Sequence, residues 1–192
     1  MEQRQAVGIN QGLLIKMIEA QPQTLAGNRN RLLLSLGYDF LARRSEFVAI
    51  RHEDLMFTPD GGLKGIIRRI KTDQYGRDHL VFRSKRSAKL LKEWLKQKPL
   101  EIPPVFCAVN HGRCLDRAIS ARQVNEIIKQ ALVRVKRHPR PSDFEVSGYS
   151  LRVGAAQDLL LKEHDMAAIM RAGGWSDPST MSKYLRFALH NI

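Results

Sequence analysis

Residues 54–83 read DLMFTPDGGLKGIIRRIKTDQYGRDHLVFR, and their pattern differs from that of the rest of the chain. β-branched and aromatic residues fall in three short runs, which Pro-Asp-Gly-Gly and Asp-Gln-Tyr-Gly interrupt. Turn-forming clusters between such runs predict a three-stranded antiparallel meander with two turns. This stretch decides the fold class, because it places one small sheet inside a chain that is otherwise helical in pattern.

Apolar residues recur at helical spacing on both sides of the meander. The predicted helical segments are 9–21, which ends before Pro22; 25–50, which bends near 42–45; and 87–98, 119–136, 148–162, 165–172 and 178–190. Ser120 is the expected N-cap of the fourth segment, and residues 101–118 read as a loop. The prediction is a mostly α protein with one small three-stranded antiparallel sheet, an α+β fold.

The chain has 192 residues, of which 43% are hydrophobic, and it contains no internal repeat or low-complexity tract. That content suffices for one core of ordinary size. We therefore predict a single domain over residues 9–192, preceded by a polar linker or arm at residues 1–8.

Basic residues dominate the charge of the chain. Its 32 Lys and Arg residues against 19 Asp and Glu residues give a formal net charge of +13. Such a charge on a folded chain favours a polyanionic partner, above all nucleic acid. The alternative is a basic surface that serves solubility.

Several kinds of site are disfavoured by what the sequence lacks. The two cysteines, Cys107 and Cys114, have no CxxC spacing, which disfavours a disulfide scaffold or a zinc site and fits a reducing cytoplasm. No apolar run approaches the ~18 residues of a membrane span, and no signal-peptide pattern is present. Without a P-loop, an HExxH motif or an acidic cluster, phosphodiester chemistry here would depend on arginines and a lysine, with no metal or other cofactor.

Two charged candidates for such chemistry lie before and within the meander. Arg43 is at the predicted helix bend, and Glu46 follows three residues later, close enough to orient the guanidinium. The same pair would equally form an ordinary surface ion pair. Lys71 follows a predicted strand at a turn, where most lysines are only solvated.

Further candidates lie in the C-terminal helices. Tyr149 and Arg152 are about one turn apart at the start of an apolar helix, where an arginine needs an anionic partner. Trp175 follows the next helix; an indole there is more often a core residue, yet its N–H can bind a phosphate oxygen. Tyr184 lies nine residues beyond Trp175 in a polar helix, where a surface tyrosine is ordinary.

Together these candidates carry a resemblance to a known family. ARRSEFVAIRHEDL (42–55), IKTDQYGR (70–77), YSLRVGAAQDLL (149–160) and GGWSDPSTMSKYLR (173–186), in this order, resemble the tyrosine recombinase (phage integrase) family. The resemblance runs from Thr24 to Arg186 and implies the catalytic-domain fold of that family.

The resemblance implies a role for each candidate. Tyr184 corresponds to the nucleophile that attacks a DNA phosphate and becomes a 3′-phosphotyrosine. Arg43 and Arg152 correspond to the two arginines that hold the non-bridging oxygens, and Lys71 to the general acid for the 5′-hydroxyl. Trp175 corresponds to a His or Trp that hydrogen-bonds the phosphate. The implied reaction needs no metal or ATP, because the covalent intermediate conserves the energy of the phosphodiester.

Two further positions complete the implied pocket. Glu46 corresponds to the acidic residue that supports the first arginine. Tyr149 departs from the family, which usually has His in the motif His-x-x-Arg. An imidazole with a pKa of about 6.5 accepts the proton of the nucleophile, whereas a phenol with a pKa of about 10 does so poorly. A tyrosine there still has a hydroxyl to donate to the phosphate, so we expect slower cleavage at neutral pH in an intact pocket.

The resemblance also implies a DNA-contacting surface. The N-terminal turn of the helix at 119–136 resembles the family's major-groove helix, with Arg122 placed to bind a guanine. Ser120 and Gln123 are expected to touch phosphates nearby. Further contacts to the DNA backbone are expected from Lys85, Arg86, Lys129 and Arg134.

The ends of the chain bear on the expected assembly. Family members usually carry an N-terminal DNA-clamping domain of about a hundred residues, and nothing before Ile9 is long enough, so a catalytic-domain fragment is expected. Only eight residues follow Tyr184. The isolated domain is therefore expected to be monomeric, with a homotetrameric synapse on double-stranded DNA for a full-length protein, in the bacterial nucleoid or a phage-infected cell.

The predicted function is site-specific DNA strand cleavage and rejoining. One alternative is a DNA-binding regulator that kept the fold and lost catalysis through Tyr149. Another is a type IB topoisomerase-like enzyme, which uses the same chemistry without synapsis. Covalent capture of DNA separates the two enzymes from the regulator, and the joining of two distinct duplexes separates the two enzymes from each other.

Overall fold

The computed structural model of the chain describes residues 7–67, 79–81, 84–136, 145–179 and 182. The α-helices within these ranges are α1 (Gln11–Glu19), α2 (Leu25–Asp39), α3 (Arg44–Val48), α4 (Lys85–Leu95), α5 (Ala121–Val135), α6 (Gly148–Leu161) and α7 (Met166–Gly173), and a short 3₁₀ helix spans His52–Asp54. The strands are β1 (Leu55–Phe57), β2 (Leu63–Ile67), β3 (His79–Val81), β4 (Cys107–Asn110) and β5 (Arg113–Ala118). The described part of the chain is thus mostly helical with small antiparallel sheets, and most of the helix predicted at 178–190 lies outside it.

The strands form two antiparallel sheets. β1, β2 and β3 lie in that order in one sheet, with Leu55 opposite Gly65 and Gly65 opposite Val81. β4 and β5 form a second, two-stranded sheet. The prediction of a single sheet was therefore wrong, because residues 101–118, which read as a loop, contain this hairpin.

Helix α2 is the centre of the core. Leu32, Leu33, Leu34 and Leu36 are all 0% exposed, so apolar side chains surround its axis as in a fully buried helix. Helices α1, α4 and α6 pack against it. The helices that carry the candidate site residues are therefore held by one shared core.

A short buried junction separates α2 from α3, where the sequence predicted a bend. Phe40, Leu41 and Ala42 are 1%, 1% and 6% exposed. Leu41 has a φ of 49°, a left-handed conformation that is uncommon for a leucine and that only close packing maintains. This junction sets the position of Arg43, the N-cap residue of α3.

The segment before α1 crosses helix α6 at Gly154. The backbone N–H of Ile9 donates to the carbonyl oxygen of Ser150 at 2.9 Å, and Ile9 is 1% exposed. A Cβ atom on Gly154 would lie 1.9 Å from the carbonyl oxygen of Ile9. Only a glycine permits this approach of two backbones, and the crossing fixes the start of α6.

We expect Gly154→Ala to lower the free energy of unfolding by about 1–3 kcal/mol, because the added methyl group forces the two backbones apart. Urea unfolding followed by circular dichroism measures the change. Gly12→Ala in α1 is the matched control: the nearest neighbour of a Cβ there is 3.7 Å away, and alanine favours a helix over glycine. A Gly154→Ala chain as stable as the Gly12→Ala chain would contradict the close crossing.

Candidate active site

A cavity of about 460 Å³ opens where the α2–α3 junction, α5, α6 and the end of α7 meet. The residues that line it are Ala42, Arg43, Arg44, Asn125, Ser147, Gly148, Tyr149, Arg152 and Trp175. Four predicted site residues, Arg43, Tyr149, Arg152 and Trp175, thus come from three separate stretches of the chain and share one cavity. Among the described lining residues three are arginines and none is acidic, so the cavity is electropositive and suits an anion.

Arg43 is oriented by the start of its own helix. Its backbone N–H donates to Glu46 Oε2 at 2.9 Å, and its Nη1 donates to Glu46 Oε1 at 3.4 Å. Its Nη2 donates to the carbonyl oxygen of Gly174 at 3.4 Å. Because the Glu46 side chain is 9% exposed and the Arg43 side chain 54%, a buried carboxylate holds a half-exposed guanidinium at the cavity wall. Because Glu46 is buried, the pair is not an ordinary surface ion pair, while the supporting role of Glu46 in catalysis stays a prediction.

Arg152 is buried against the indole of Trp175. Arg152 is 4% exposed, and its guanidinium carbon lies 4.0 Å from the centroid of the Trp175 ring. The negative face of an indole attracts a stacked guanidinium. A guanidinium held in this way presents its N–H donors at the edge of its plane, which is the geometry of a bidentate phosphate contact.

Two glycines place the Trp175 ring. Gly174 has a φ of 65° and ends α7 in the left-handed conformation. The chain turns back there, and the backbone N–H of Trp175 donates to the carbonyl oxygen of Met170 at 2.9 Å. A Cβ atom on Gly173 would lie 2.0 Å from the indole ring. The sequence Gly-Gly-Trp therefore allows the indole to fold over the end of α7 and reach Arg152.

Tyr149 lies in the first turn of α6, three residues before Arg152. The Ser147 hydroxyl accepts the Tyr149 backbone N–H at 3.2 Å, and Asn125 Oδ1 accepts the Gly148 N–H at 3.1 Å. Residues three apart share a helix face, which explains why both Tyr149 and Arg152 line the cavity. The start of α6 is thus fixed by backbone contacts that do not involve the phenol.

Two predicted catalytic residues, Lys71 and Tyr184, lie outside the described residues. The described residues that precede them in sequence are β2, which ends at Ile67, and the segment after Trp175, which Asp177 caps. Asp177 Oδ1 accepts the Ser179 N–H at 2.9 Å, a contact typical of a helix N-cap.

The residues predicted to contact DNA at the start of α5 are exposed. Ser120 and Gln123 form a capping box: Gln123 Oε1 accepts the Ser120 N–H at 2.9 Å, and Ser120 Oγ accepts the Gln123 N–H at 3.2 Å. Ser120 is therefore the N-cap of α5, as predicted. Arg122 lies between the two, while Lys129, two turns further on, is 3.9 Å from Glu126.

Lys85 and Arg86 line a different cavity, of about 370 Å³. Arg86 Nη2 donates to Asp39 Oδ1 at 2.6 Å and Nε donates to Ser35 Oγ at 2.8 Å. The Tyr38 hydroxyl on this cavity donates to Asp158, and burial together with that hydrogen bond raises the pKa of Tyr38. Arg86 thus joins α4 to α2, a role that the sequence did not indicate.

Two residues of the first cavity, Arg44 and Asn125, were not singled out by the sequence motifs. The available signals were the doublet of Arg44 with Arg43 and the position of Asn125 one turn beyond Arg122 on α5. Arg134, which is predicted to contact the DNA backbone, has a hydrogen-bond partner within the protein: its Nη1 donates to Gln21 Oε1 at 3.4 Å.

Metal and membrane features are absent from the described ranges. No three His, Cys, Asp or Glu side chains are grouped there as ligands for a metal ion. No described helix has the length and apolar character needed to cross a bilayer. Cys107 and Cys114 are both unpaired thiols.

The sequence matches the phage integrase family over residues 12–190. The integrase/recombinase XerD homologue of Selenomonas ruminantium is 28% identical over 172 residues, which cover 85% of this chain and 48% of that protein. The Cre recombinase of Escherichia phage P1 is 28% identical over 170 residues, which cover 82% of this chain and 49% of that protein. The chain therefore spans about half the length of these two relatives.

Solved recombinase structures share the fold. A pre-cleavage complex of the XerH site-specific recombinase with its difH substrate has a TM-score of 0.72 at 20% identity, over 96% of this chain and 51% of that one. The XerA recombinase has a TM-score of 0.74 at 16% identity, over 100% of this chain and 63% of that one. With a family match across nearly the whole sequence and this shared fold, the chain belongs to the phage integrase family, the tyrosine recombinases.

Proposed function

We propose that this chain is the catalytic domain of a site-specific DNA recombinase, which cleaves and rejoins DNA strands through a 3′-phosphotyrosine intermediate. The observation that carries the proposal is that Arg43, Tyr149, Arg152 and Trp175 line one electropositive cavity. A phosphodiester in this cavity meets guanidinium donors that stabilise the charge on its non-bridging oxygens. The XerH site-specific recombinase, which has the same fold, was solved in a pre-cleavage complex with its difH substrate.

In the proposed reaction the Tyr184 hydroxyl oxygen attacks the phosphorus of one phosphodiester. A bond forms between that oxygen and phosphorus, the bond from phosphorus to the 5′ oxygen breaks, and Lys71 gives the leaving oxygen a proton. The phosphate stays on the 3′ end of the cleaved strand. Attack by a 5′-hydroxyl on the phosphotyrosine reverses these steps and joins the strands.

The cavity residues hold the phosphate while this happens. Arg43 and Arg152 contact the non-bridging oxygens, and the Trp175 indole N–H donates to one of them. Charge on these oxygens increases in the transition state, so donors fixed in advance stabilise it more than the bound substrate. The proton of the Tyr184 hydroxyl passes to water, because the Tyr149 phenol is a poor acceptor at neutral pH.

The wider assembly belongs to the same proposal. Residues 9–192 are the catalytic domain and residues 1–8 a linker, and the partner is double-stranded DNA, with the start of α5 in the major groove. Four full-length chains form the synapse, whereas the isolated domain is a monomer. The site of action is DNA in the cytoplasm.

Covalent trapping tests the proposal. The probe is a duplex selected from a random library by binding to this chain, then nicked so that the cleaved end diffuses away. We expect an SDS-stable protein–DNA band from the native chain and none from Tyr184→Phe. DNA binding without any band would contradict the proposal and favour the DNA-binding regulator. Transfer of the captured strand to a second duplex separates a recombinase from a topoisomerase-like enzyme.

A further inference from the structure

Arg44 is a third arginine of the candidate active site, and neither the motifs nor the proposed reaction uses it. It is the first residue of α3, is exposed, and lines the same cavity as Tyr149 and Arg152. We propose that Arg44 is a further phosphate-binding residue, which contacts a DNA backbone phosphate next to the one that reacts. The proposal rests on the function proposed above and names an additional contact of the same site.

The fold does not account for an arginine at this position. Among the described residues, no hydrogen bond or ion pair involves the Arg44 side chain, whereas the neighbouring Arg43 donates to Glu46 and to Gly174. The first turn of a helix is also partly positive, so a cation there gains nothing from the helix dipole. A ligand is therefore the better explanation for the Arg44 charge.

The number of arginines in the cavity, and how deeply each is buried, indicate what the Arg44 ligand is. One phosphodiester carries one negative charge, and the buried Arg152 together with Arg43 already provides two guanidiniums for it. A third arginine at the exposed side of the cavity needs a second anion that lies further out. A DNA strand provides one, because a charged phosphate follows every 3.4 Å or so along the helix axis. Arginine suits it, since its planar fork binds phosphate through two donors.

The stem of Arg44 lies beside the start of α6. The Arg44 Cβ and Cγ atoms lie 3.6 and 3.7 Å from the position that a Cβ on Gly148 would take, so the side chain packs beside the first residue of that helix. The Gly148 N–H is in turn bound by Asn125. A stem beside the well-anchored start of a helix has fewer conformations to lose when its guanidinium binds a phosphate.

Salt dependence of DNA binding is the first test, because it needs no cleavage. Arg44→Gln and Lys16→Gln each remove one positive charge, the first from the cavity and the second from the exposed side of α1. Affinity for a 30-base-pair duplex of mixed sequence is measured by fluorescence anisotropy over a series of salt concentrations. We expect Arg44→Gln to reduce the slope of log affinity against log salt by about one, and Lys16→Gln to leave it unchanged. Arg44→Lys should keep most of the slope. A slope for Arg44→Gln equal to that of the native chain would overturn the proposal.

The second test locates the phosphate. Capture rates are measured on the nicked duplex with an uncharged methylphosphonate at either phosphate beside the cleavage position. On the unmodified duplex we expect Arg44→Gln to be about tenfold slower than the native chain. At one of the two modified positions the capture rates of Arg44→Gln and the native chain should become equal, because the phosphate that Arg44 contacts is already uncharged there. If the ratio of the native to the Arg44→Gln capture rate is the same with either modified duplex as with the unmodified one, the contact is contradicted.

The outcomes separate this proposal from the proposed function. If Tyr184→Phe still captures DNA, the nucleophile is wrong, yet a reduced salt slope for Arg44→Gln still supports the phosphate contact. If capture depends on Tyr184 and Arg44→Gln behaves as the native chain in both tests, the Arg44 proposal alone fails.

Discussion

Arg152→Gln will slow covalent capture of DNA by about 10²- to 10³-fold, the scale of losing one donor from a preorganised oxyanion site. Arg152 is 4% exposed and stacked at 4.0 Å on the Trp175 ring, so its guanidinium is in place before DNA arrives. Because negative charge on the phosphate oxygens increases toward the transition state, the contact is worth more there than in the bound substrate. The affinity for uncleaved DNA should therefore fall much less than the rate.

Single-turnover capture and equilibrium binding, measured on the same nicked duplex, separate these two effects. Arg152→Lys keeps the charge but loses the planar fork and the stacked geometry, so its rate should lie between those of Arg152→Gln and the native chain. Arg171→Gln removes an exposed arginine of α7 that does not line the cavity, and it should leave the rate unchanged. A loss for Arg152→Gln of less than tenfold, or a loss equal to that in affinity, would contradict the assigned contact.

The helical part of the fold could be predicted because its signals are local. Ser120 is an N-cap by residue type, and the structure has it as the cap of α5. The change of pattern near residues 42–45 corresponds to the break between α2 and α3. What the sequence could not show is the reason for the break, since the left-handed Leu41 is stable only when its neighbours are packed around it.

The β4–β5 hairpin could not be predicted because its turn lacks the usual residues. Hairpin turns with two left-handed residues favour Asn-Gly or Asp-Gly, whereas here His111 and Gly112 take φ values of 47° and 71°. The strands are also short, and the pairing is irregular between Cys107 and Val109. A sequence that alternates weakly over four to six residues is difficult to distinguish from a loop.

Four residues that line the candidate site, Arg43, Tyr149, Arg152 and Trp175, could be singled out from the sequence, but their contacts could not. Motif spacing singled out Arg152 and Trp175 separately; that they stack on each other depends on how α7 ends, which only the folded chain shows. Arg86 gives a second example: it is predicted to contact DNA, and its bond to Asp39 within the protein is visible only in the folded chain. A basic residue in a sequence does not show whether its partner is a ligand or another part of the protein.

Tyr149→His will speed strand cleavage near pH 7 by about tenfold or more, because a positioned general base contributes about 10²- to 10⁴-fold. The backbone at this position suits the exchange: the Tyr149 N–H is bound by Ser147 and the Gly148 N–H by Asn125, and neither contact uses the phenol. A histidine there would share a helix face with Arg152 and lie in the same cavity. A neutral imidazole would accept the proton that the phenol leaves to water.

The dependence of the capture rate on pH identifies the base. The Tyr149→His rate should rise as the imidazole loses its proton, about pH 6.5, and level off above about pH 7.5. The native chain has no imidazole at this position, so its rate should show no such step near pH 6.5. Tyr149→Phe keeps the ring without the hydroxyl and should be slower than the native chain if that hydroxyl donates to the phosphate. Tyr149→His combined with Tyr184→Phe must capture nothing. An unchanged rate at pH 7 for Tyr149→His would mean that proton acceptance at this position does not limit cleavage. The tyrosine in place of histidine would then not lower the cleavage rate of this chain.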